Sequence, residues 1–326
     1  MAMNILRFDM RAPGFSPAAS RELYAATLDM ASWADEKGFD LITLSEHHGT
    51  DDGYLSAPLP LLGCMVGRTR RVQLSVVALL LPLYEPVKLA EDLALLDIAS
   101  GGRVSIVAGL GYRPVEYEML GVDWGSRGRR MDESLDLILR AWSGEPCEWQ
   151  GRRIRLTPVP LTQPLPPIRI GGTGRLGARR AARLDLPYQP SVNKPEVFEY
   201  YREECARQGV EPVLLPPGAG EMVWVSDDPE RTWAEIGAHL LHDATVYASW
   251  QPESQRSAVH SDATTVEGLR AEGKHLVLTP EQCVERAGAQ GPFAATVLFP
   301  LCGGIPPEVA WRGLELFANE VLPKLG

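Results

Sequence analysis

The 326 residues contain five cysteines (Cys64, Cys147, Cys205, Cys283 and Cys302), and no two of them form a Cys-x-x-Cys pair. An odd, scattered set of this kind suits reduced thiols in a cytoplasm rather than a disulfide frame. No apolar run reaches the length of a membrane span, and Met1 to Met10 lacks the basic-then-apolar layout of a signal peptide, so neither a membrane nor export is expected. Positive charge is also in deficit. The net charge is −10 with a pI near 5.2, which gives no reason to expect nucleic acid or an anionic surface as partner. Short-period repeats, low-complexity tracts and convincing interdomain linkers are missing. So is a G-x-G-x-x-G turn between Met10 and Gly14, after the first strand; this counts against an open dinucleotide-binding sheet. These absences leave a soluble, cytoplasmic, globular chain that is 45% hydrophobic, enough for one large core or two modest ones.

What is present is organised around Asp40 to Gly53, DLITLSEHHGTDDG. Strand-like Leu41, Ile42 and Leu44 run straight into Glu46, His47 and His48. A buried strand that ends on a carboxylate and two imidazoles is costly unless those groups meet something. The carboxyl ends of parallel strands are where α/β folds place ligand crevices, so the motif reads as the mouth of an active site. Imidazole titrates near neutral pH, and a neighbouring carboxylate would raise its pKa and orient it. A buried hydrogen-bonded pair or a helix cap is the plainer reading. His48 cannot face the same way as His47 on an extended strand, which gives it a structural role.

Strands and helices alternate around this motif. Strands are predicted at Ile5–Met10, Phe39–Ser45, Val72–Leu81 and Val104–Val107. The third is almost continuously apolar, as a strand buried on both faces should be. Between them fall a helix capped at Ser16-Pro17 or Ser20 and ending near Gly38, a short helix within Ser56–Val66, and a third from Pro86 to Ile98 closed by Ser100-Gly101-Gly102. The βαβ rhythm then breaks. A fifth strand, Ile168–Ile170, follows a helix at Met131–Trp142 and a hairpin turning on Gln150-Gly151. Next come a helix at Leu176–Arg183, a weak strand at Leu186–Gln189, a helix at Pro195–Gln208, a strand at Glu221–Val225 and a helix at Pro229–His242. Asp243–Pro280 reads as polar and irregular, Ala295–Leu301 as the eighth strand, and Pro307–Val321 as a closing amphipathic helix. The expected fold is α/β: a single (β/α)8 TIM-barrel domain over residues 1–326, with insertions after strand four and before strand eight, at about 110–165 and 243–280.

Several pieces, each weak alone, occur in a specific order and spacing. They are SEHH at 45–48, LLLPLYEPVKLAEDLALLDIASGGR at 79–103, GLGYRPVEYEMLGVD at 109–123, RGRRMDESLDLI at 127–138, PIRIGGTG at 167–174 with RRAAR at 179–183, and the tail PLCGGIPPEVAWRGLELFANEVLPKL. On these the chain resembles the bacterial luciferase-like family of flavin-dependent monooxygenases and oxidoreductases. That family has a modified TIM barrel with insertions at the two places where the rhythm breaks. The resemblance implies that His47 is a catalytic base near the flavin, with Glu46 the carboxylate beside it. It also implies a non-prolyl cis peptide at Val77–Ala78 that supports the flavin ring; an ordinary barrel strand is the plain alternative.

Gly109, Gly111 and Tyr112 follow the fourth strand, where small residues let a planar ring approach the backbone and Tyr112 could stack or hydrogen-bond; a simple turn is the bland reading. Gly171, Gly172, Thr173 and Gly174, followed by Arg175, combine bare backbone N–H groups at a helix start with a hydroxyl and a guanidinium, which suits a phosphate dianion. Arg179, Arg180 and Arg183 read as a solvated face, although one of these arginines could neutralise phosphate. His239 and His242 share a helical face with Glu235 but lack a third ligand cluster, so no metal is expected. Departures from the family pattern are Glu85, where relatives often carry histidine, and Leu184-Asp185-Leu186, where Ala-Asp-Gly usually ends the helix.

The implied function is oxygenation of a small organic substrate with reduced FMN and dioxygen. NAD(P)H would be the indirect electron source through a flavin reductase, and a homodimer the assembly. The alternatives are hydride transfer with coenzyme F420 and a non-catalytic flavin-binding protein. Glu46-His47-His48 favours FMN, since relatives that use F420 more often read Asp-His there. A metal-dependent barrel hydrolase fails for want of ligands.

Overall fold

The structure, a computed structural model, describes residues 3–14, 16–164, 166–215, 221–251, 256, 259–290 and 295–325. Proline in the first turn and a capping side chain set where many helices begin. Strand β1 (Met3–Phe8) leads to α1 (Pro17–Lys37); there the Ser16 hydroxyl accepts from the Ala19 amide at 3.2 Å, and Gly38, at φ 83°, ends the helix. Leu23, Ala26, Met30 and Ala34 form its buried stripe. Strand β2 (Leu41–Leu44), helix α2 (Pro58–Arg68) and strand β3 (Gln73–Leu80) follow. Helix α3 (Pro86–Ser100) is capped by Glu85, whose carboxylate accepts from the Lys88 amide at 2.9 Å. The departure at Glu85 therefore has a local task.

Strand β4 (Val104–Gly109), helices α4 (Pro114–Met119) and α5 (Arg127–Ala141), and the antiparallel hairpin β5 (Cys147–Trp149) and β6 (Arg152–Ile154) come next. The hairpin turns through Gln150 and Gly151 at φ 49° and 73°. Strand β7 (Ile168–Gly172), helix α6 (Arg175–Leu184), strand β8 (Tyr188–Pro190), helix α7 (Pro195–Gln208) and strand β9 (Met222–Val225) resume the alternation. The chain closes with α8 (Pro229–Trp250), α9 (Val266–Ala271), β10 (His275–Leu278), α10 (Pro280–Ala289), β11 (Ala295–Leu298) and α11 (Pro307–Leu316).

The largest difference from expectation falls at residues 243–280. Helix α8 does not stop at His242 but runs to Trp250. Asp243, which looks like a helix terminator, is buried and turned onto a cation, so it does not end the helix. Strand β10, within the stretch expected to be irregular, pairs in parallel with β9 from His275 opposite Met222 to Leu278 opposite Val225. Four residues were too short a run to announce a strand. The first strand also lies two residues earlier than expected, at Met3–Phe8.

By compactness the chain divides into two units. Unit one comprises Met1–Ser56 and Ala219–Gly326. Its strands are parallel in the order β10-β9-β11-β1-β2, with Leu6 level with Leu298 on one side and Ile42 on the other. Leu6, Phe8, Met30, Ile42, Leu44 and Phe317 are fully buried there. Unit two, Ala57–Gly218, has the parallel order β3-β4-β7-β8 over a core that includes Leu74, Val76, Ile106, Leu135, Ile170 and Tyr188. The β3–β4 register shifts between Val77 and Leu79. Among the described residues no helix is long and apolar enough to cross a membrane.

Candidate active site

In unit one the chemistry gathers beyond the ends of β1 and β2. Residues 46 and 48 share a side of the extended chain and 47 takes the other. Glu46 accordingly meets His48, Oε1 to Nε2, at 3.0 Å, which supports the structural role of His48. The Glu46 carboxylate thus anchors the second histidine of the motif. His47 is 4% exposed and is walled by aromatic rings. Its ring centroid lies 4.8 Å from that of Tyr54, 5.1 Å from Trp250 and 6.0 Å from Tyr247, each edge to face. Its backbone N–H donates to the Leu55 carbonyl, and the Leu55 amide donates to the Asp9 carbonyl. The loop that carries Tyr54 is therefore stitched between β1 and the histidine.

Behind these rings lies Arg11, with no exposed surface. Its Nε is 3.1 Å from Asp9 Oδ2 and 3.3 Å from Asp243 Oδ1, and its Nη1 donates to the Asp243 carbonyl. The guanidinium carbon stands 4.6 Å from the Tyr54 ring centre and 5.1 Å from that of Trp250. Burial and the charge of Asp243 push the Asp9 carboxyl up to about 7 against the pull of Arg11. Burial works the same way on Asp52, but the hydrogen bond from His242 (3.0 Å), with Arg11 and Thr50, holds that carboxyl below its ordinary value. His242 is thus engaged by Asp52, and His239 Nδ1 lies 2.9 Å from the Gly303 carbonyl.

Arg11, Tyr54, Asp243, Tyr247 and Trp250 escaped the sequence reading. Two signals were there. Charged residues occupy alternate positions 7, 9 and 11 across the end of β1 and the segment after it, between Leu6, Phe8 and Met10. Asp243, Tyr247 and Trp250 fall at i, i+4 and i+7 on one helical face.

Unit two is built from backbone. The Val77–Ala78 peptide bond is cis, and both residues are half-buried between buried Leu74 to Val76 and Leu79 to Leu80. A Cβ on Gly109 would stand 2.8 Å from that of Ala78, so a side chain there would collide with β3. Gly111, at φ 69°, needs a glycine-like backbone, and Tyr112 beside it is half-buried. At the end of β7, a Cβ on Gly171 would meet Val107 at 3.0 Å and the Ala108 carbonyl at 3.3 Å. Gly172 sits at φ 148°, and its carbonyl accepts from the Tyr188 hydroxyl and the Ser191 amide. Gly174 begins α6 with no side-chain cap and nothing within 4 Å of where a Cβ would be. The first N–H groups of α6 thus lie behind an open approach, beside Thr173. Arg175 lies over the Tyr200 ring at 5.0 Å. Arg180 and Arg183, in contrast, are bonded to Asp132 and Asp136 of α5.

Parallel strands that end in a buried histidine in one unit and in bare glycine turns in the other describe an α/β enzyme with a cofactor. Residues 3–290 match the family model for luciferase-like monooxygenases, and the chain belongs to that family. The oxygenase component of a flavin-dependent trigonelline monooxygenase from Acinetobacter baylyi is 33% identical over 156 residues, which are 45% of this chain and 43% of that protein. The match thus spans less than half the length of that relative. An F420-dependent glucose-6-phosphate dehydrogenase from Microbacterium testaceum is 30% identical and aligns over 95% of this chain and 97% of its own. A solved structure, the oxygenating constituent of 3,6-diketocamphane monooxygenase from Pseudomonas putida in complex with FMN, has a TM-score of 0.73 at 20% identity and covers 100% of this chain and 99% of its own. That likeness bears on fold alone, and the fold class is α/β, of the (β/α)8 type.

Proposed function

We propose that this protein is a flavin-dependent monooxygenase that uses reduced FMN and dioxygen on a small organic substrate. The family match over residues 3–290 carries the reading, and the residues present fit the cofactor. Gly109 and Gly171 are positions where a Cβ would collide with the neighbouring strand. The uncapped start of α6 suits a phosphate dianion. Val77, Ala78, Gly109, Gly111 and Tyr112 would hold the ring, and Gly171 to Gly174 with Arg175 the phosphate. When bound and reduced, FMN supplies the electrons that activate dioxygen. His47 holds or moves a proton at an imidazole nitrogen, and its aromatic wall keeps water from that ring. Glu46 fixes the strand end by way of His48. Electrons come from NAD(P)H through a separate flavin reductase, and the working form is a cytoplasmic homodimer, which sedimentation of the pure protein checks.

One observation favours a second reading, hydride transfer with F420. The Microbacterium relative, an F420 enzyme by name, aligns along nearly the whole chain. Glu46-His47-His48, where F420 users more often read Asp-His, keeps FMN ahead. Titration of the purified protein with FMN and with F420, followed by oxygen consumption driven by NAD(P)H and a reductase, separates the two. FMN binding with oxygen uptake coupled to an oxidised product is expected. Tight F420 binding without FMN binding reverses the assignment.

A further inference from the structure

We propose that Arg11 is a positioning residue: it clamps α8 and the Tyr54 loop so that Tyr54 and Trp250 hold the His47 ring in one orientation. The inference rests on the reading of His47 as the proton-handling group. The guanidinium and the imidazole touch the same two rings. His47 lies 4.8 Å from Tyr54 and 5.1 Å from Trp250, and the Arg11 carbon 4.6 Å and 5.1 Å from the same pair. Tyr247 completes the wall, 6.0 Å from His47 and 5.8 Å from the guanidinium.

The clamp joins segments far apart in the chain. Arg11 follows β1, Tyr54 lies in the loop after β2, and Asp243, Tyr247 and Trp250 lie on the last turns of α8. One cation donates a hydrogen bond to the Asp243 carbonyl, forms ion pairs with the Asp243 and Asp9 carboxylates, and stands 3.8 Å from Asp52. The ionisable groups facing it are Asp9 beyond β1, Asp52 and Tyr54 in the loop, Asp243 and Tyr247 on α8, and Cys302 after β11, with His242 behind Asp52 and Arg7 of β1 acting on the same acidic and tyrosine neighbours. Glu46 and His48 flank His47 on its own segment. A buried arginine is an expensive way to fill space. Its flat fork, which can stack and bond in one plane, is what distinguishes it from an apolar filler or a lysine.

The test is nuclear magnetic resonance of the His47 ring in 15N-histidine-labelled protein, assigned with His47→Ala. In the wild type, ring-to-ring contacts from His47 to Tyr54 and Trp250 are expected. The double variant Arg11→Met, Asp243→Asn keeps the net charge and removes the guanidinium together with its partner carboxylate on α8; Asp52 stays bonded to His242, and Asp9 is the one carboxyl left without its cation. It is expected to fold, to bind FMN within about twofold of wild type, and to lose both ring contacts. Persistence of both contacts in the folded variant overturns the proposal. If the double variant does not fold, Arg11→Lys, which keeps the charge but not the fork, decides the matter: loss of the contacts supports positioning, and unchanged contacts overturn it. Separately, a His47→Ala enzyme with undiminished turnover would remove the proton-handling role and leave the ring contacts to decide the clamp.

Discussion

The two units handle polar chemistry in opposite ways. Unit one uses side chains. It buries Asp9, Arg11, Asp52 and Asp243 together and sets a histidine against three aromatic rings. Unit two strips side chains away, and Gly109, Gly171 and Gly174 leave backbone exposed where residues with a Cβ would collide or cover it. The first arrangement suits a group that must change its proton count, since pKa is set by neighbouring charges and burial. The second suits a group that only has to be held, because amide dipoles do not titrate. Substitutions should therefore divide cleanly: in unit one they alter rate and pH response, in unit two affinity.

The sharpest trial of that division is His47→Ala. Turnover should fall by a factor on the order of 10²–10⁴, while FMN affinity, followed by quenching of flavin fluorescence, stays nearly unchanged. A large loss of affinity with little loss of rate would break the comparison.

The next expected effect is on stability. Folded Asp9 keeps its proton up to about pH 7, whereas the ordinary value is 3.8. Between those values the folded chain binds more protons than the unfolded one, so this residue makes stability fall as pH rises, by an amount on the order of a few kcal/mol. Asp52, whose carboxyl is depressed, acts in the other direction: its contribution is present above the ordinary value and lost as pH falls below it. Asp9→Asn cannot ionise, so urea unfolding from pH 4 to 7 should show a flatter or rising stability. A decline as steep as the wild type's would show that Asp9 is already ionised in the fold.

These two residues also show what could be read in the chain beforehand. His47 was legible because a strand, a carboxylate and two imidazoles lie within a few consecutive positions, and the glycines of 171–174 because their motif is contiguous. Asp9 was not, because its meaning comes from Arg11 and from Asp243, more than two hundred residues further on. Most strands and helices were legible for the same local reasons: Ser16, Pro86 and Gly101 mark their own helix ends. Strand β10 and the last turns of α8 were not. A four-residue strand carries little periodicity, and Asp243 signals a helix end only while its partner is unknown.

In unit two the matched trial is Gly177→Ala against Gly174→Ala. A Cβ on Gly177 would come to 3.0 Å of the Gly171 carbonyl, in the turn proposed for phosphate, and 3.3 Å of the ring of Tyr188, whose hydroxyl donates to the Gly172 carbonyl. Overpacking of this kind costs about 1–3 kcal/mol, and FMN affinity should weaken on the order of tenfold with the rate at saturating FMN preserved. Gly174 has open space in front of it, and its replacement at the helix start should leave the melting temperature nearly unmoved. Equal losses of melting temperature at the two positions would mean that Gly177 is not packed tightly against the turn.

The smallest expected effect concerns the arginines of α6. Arg183 is 41% exposed and lies 3.0 Å from Asp136, itself 45% exposed. Such a pair contributes less than about 1 kcal/mol, so Arg183→Ala should shift stability within that bound and leave FMN affinity alone. Arg180 is the internal standard. At 7% exposure it donates to Asp132 at 2.7 and 3.1 Å and to the Gly128 carbonyl at 3.3 Å. Its removal would leave that carbonyl and the Asp132 carboxylate short of a partner, at a cost of about 1–3 kcal/mol. Neither change should alter flavin binding, because both guanidiniums are already bonded to α5. Arg175, in the first turn and over Tyr200, is the arginine of that helix whose loss should weaken FMN. If Arg183→Ala weakens FMN as much as Arg175→Ala does, charge along the whole helix face, rather than its bare start, is what holds the phosphate.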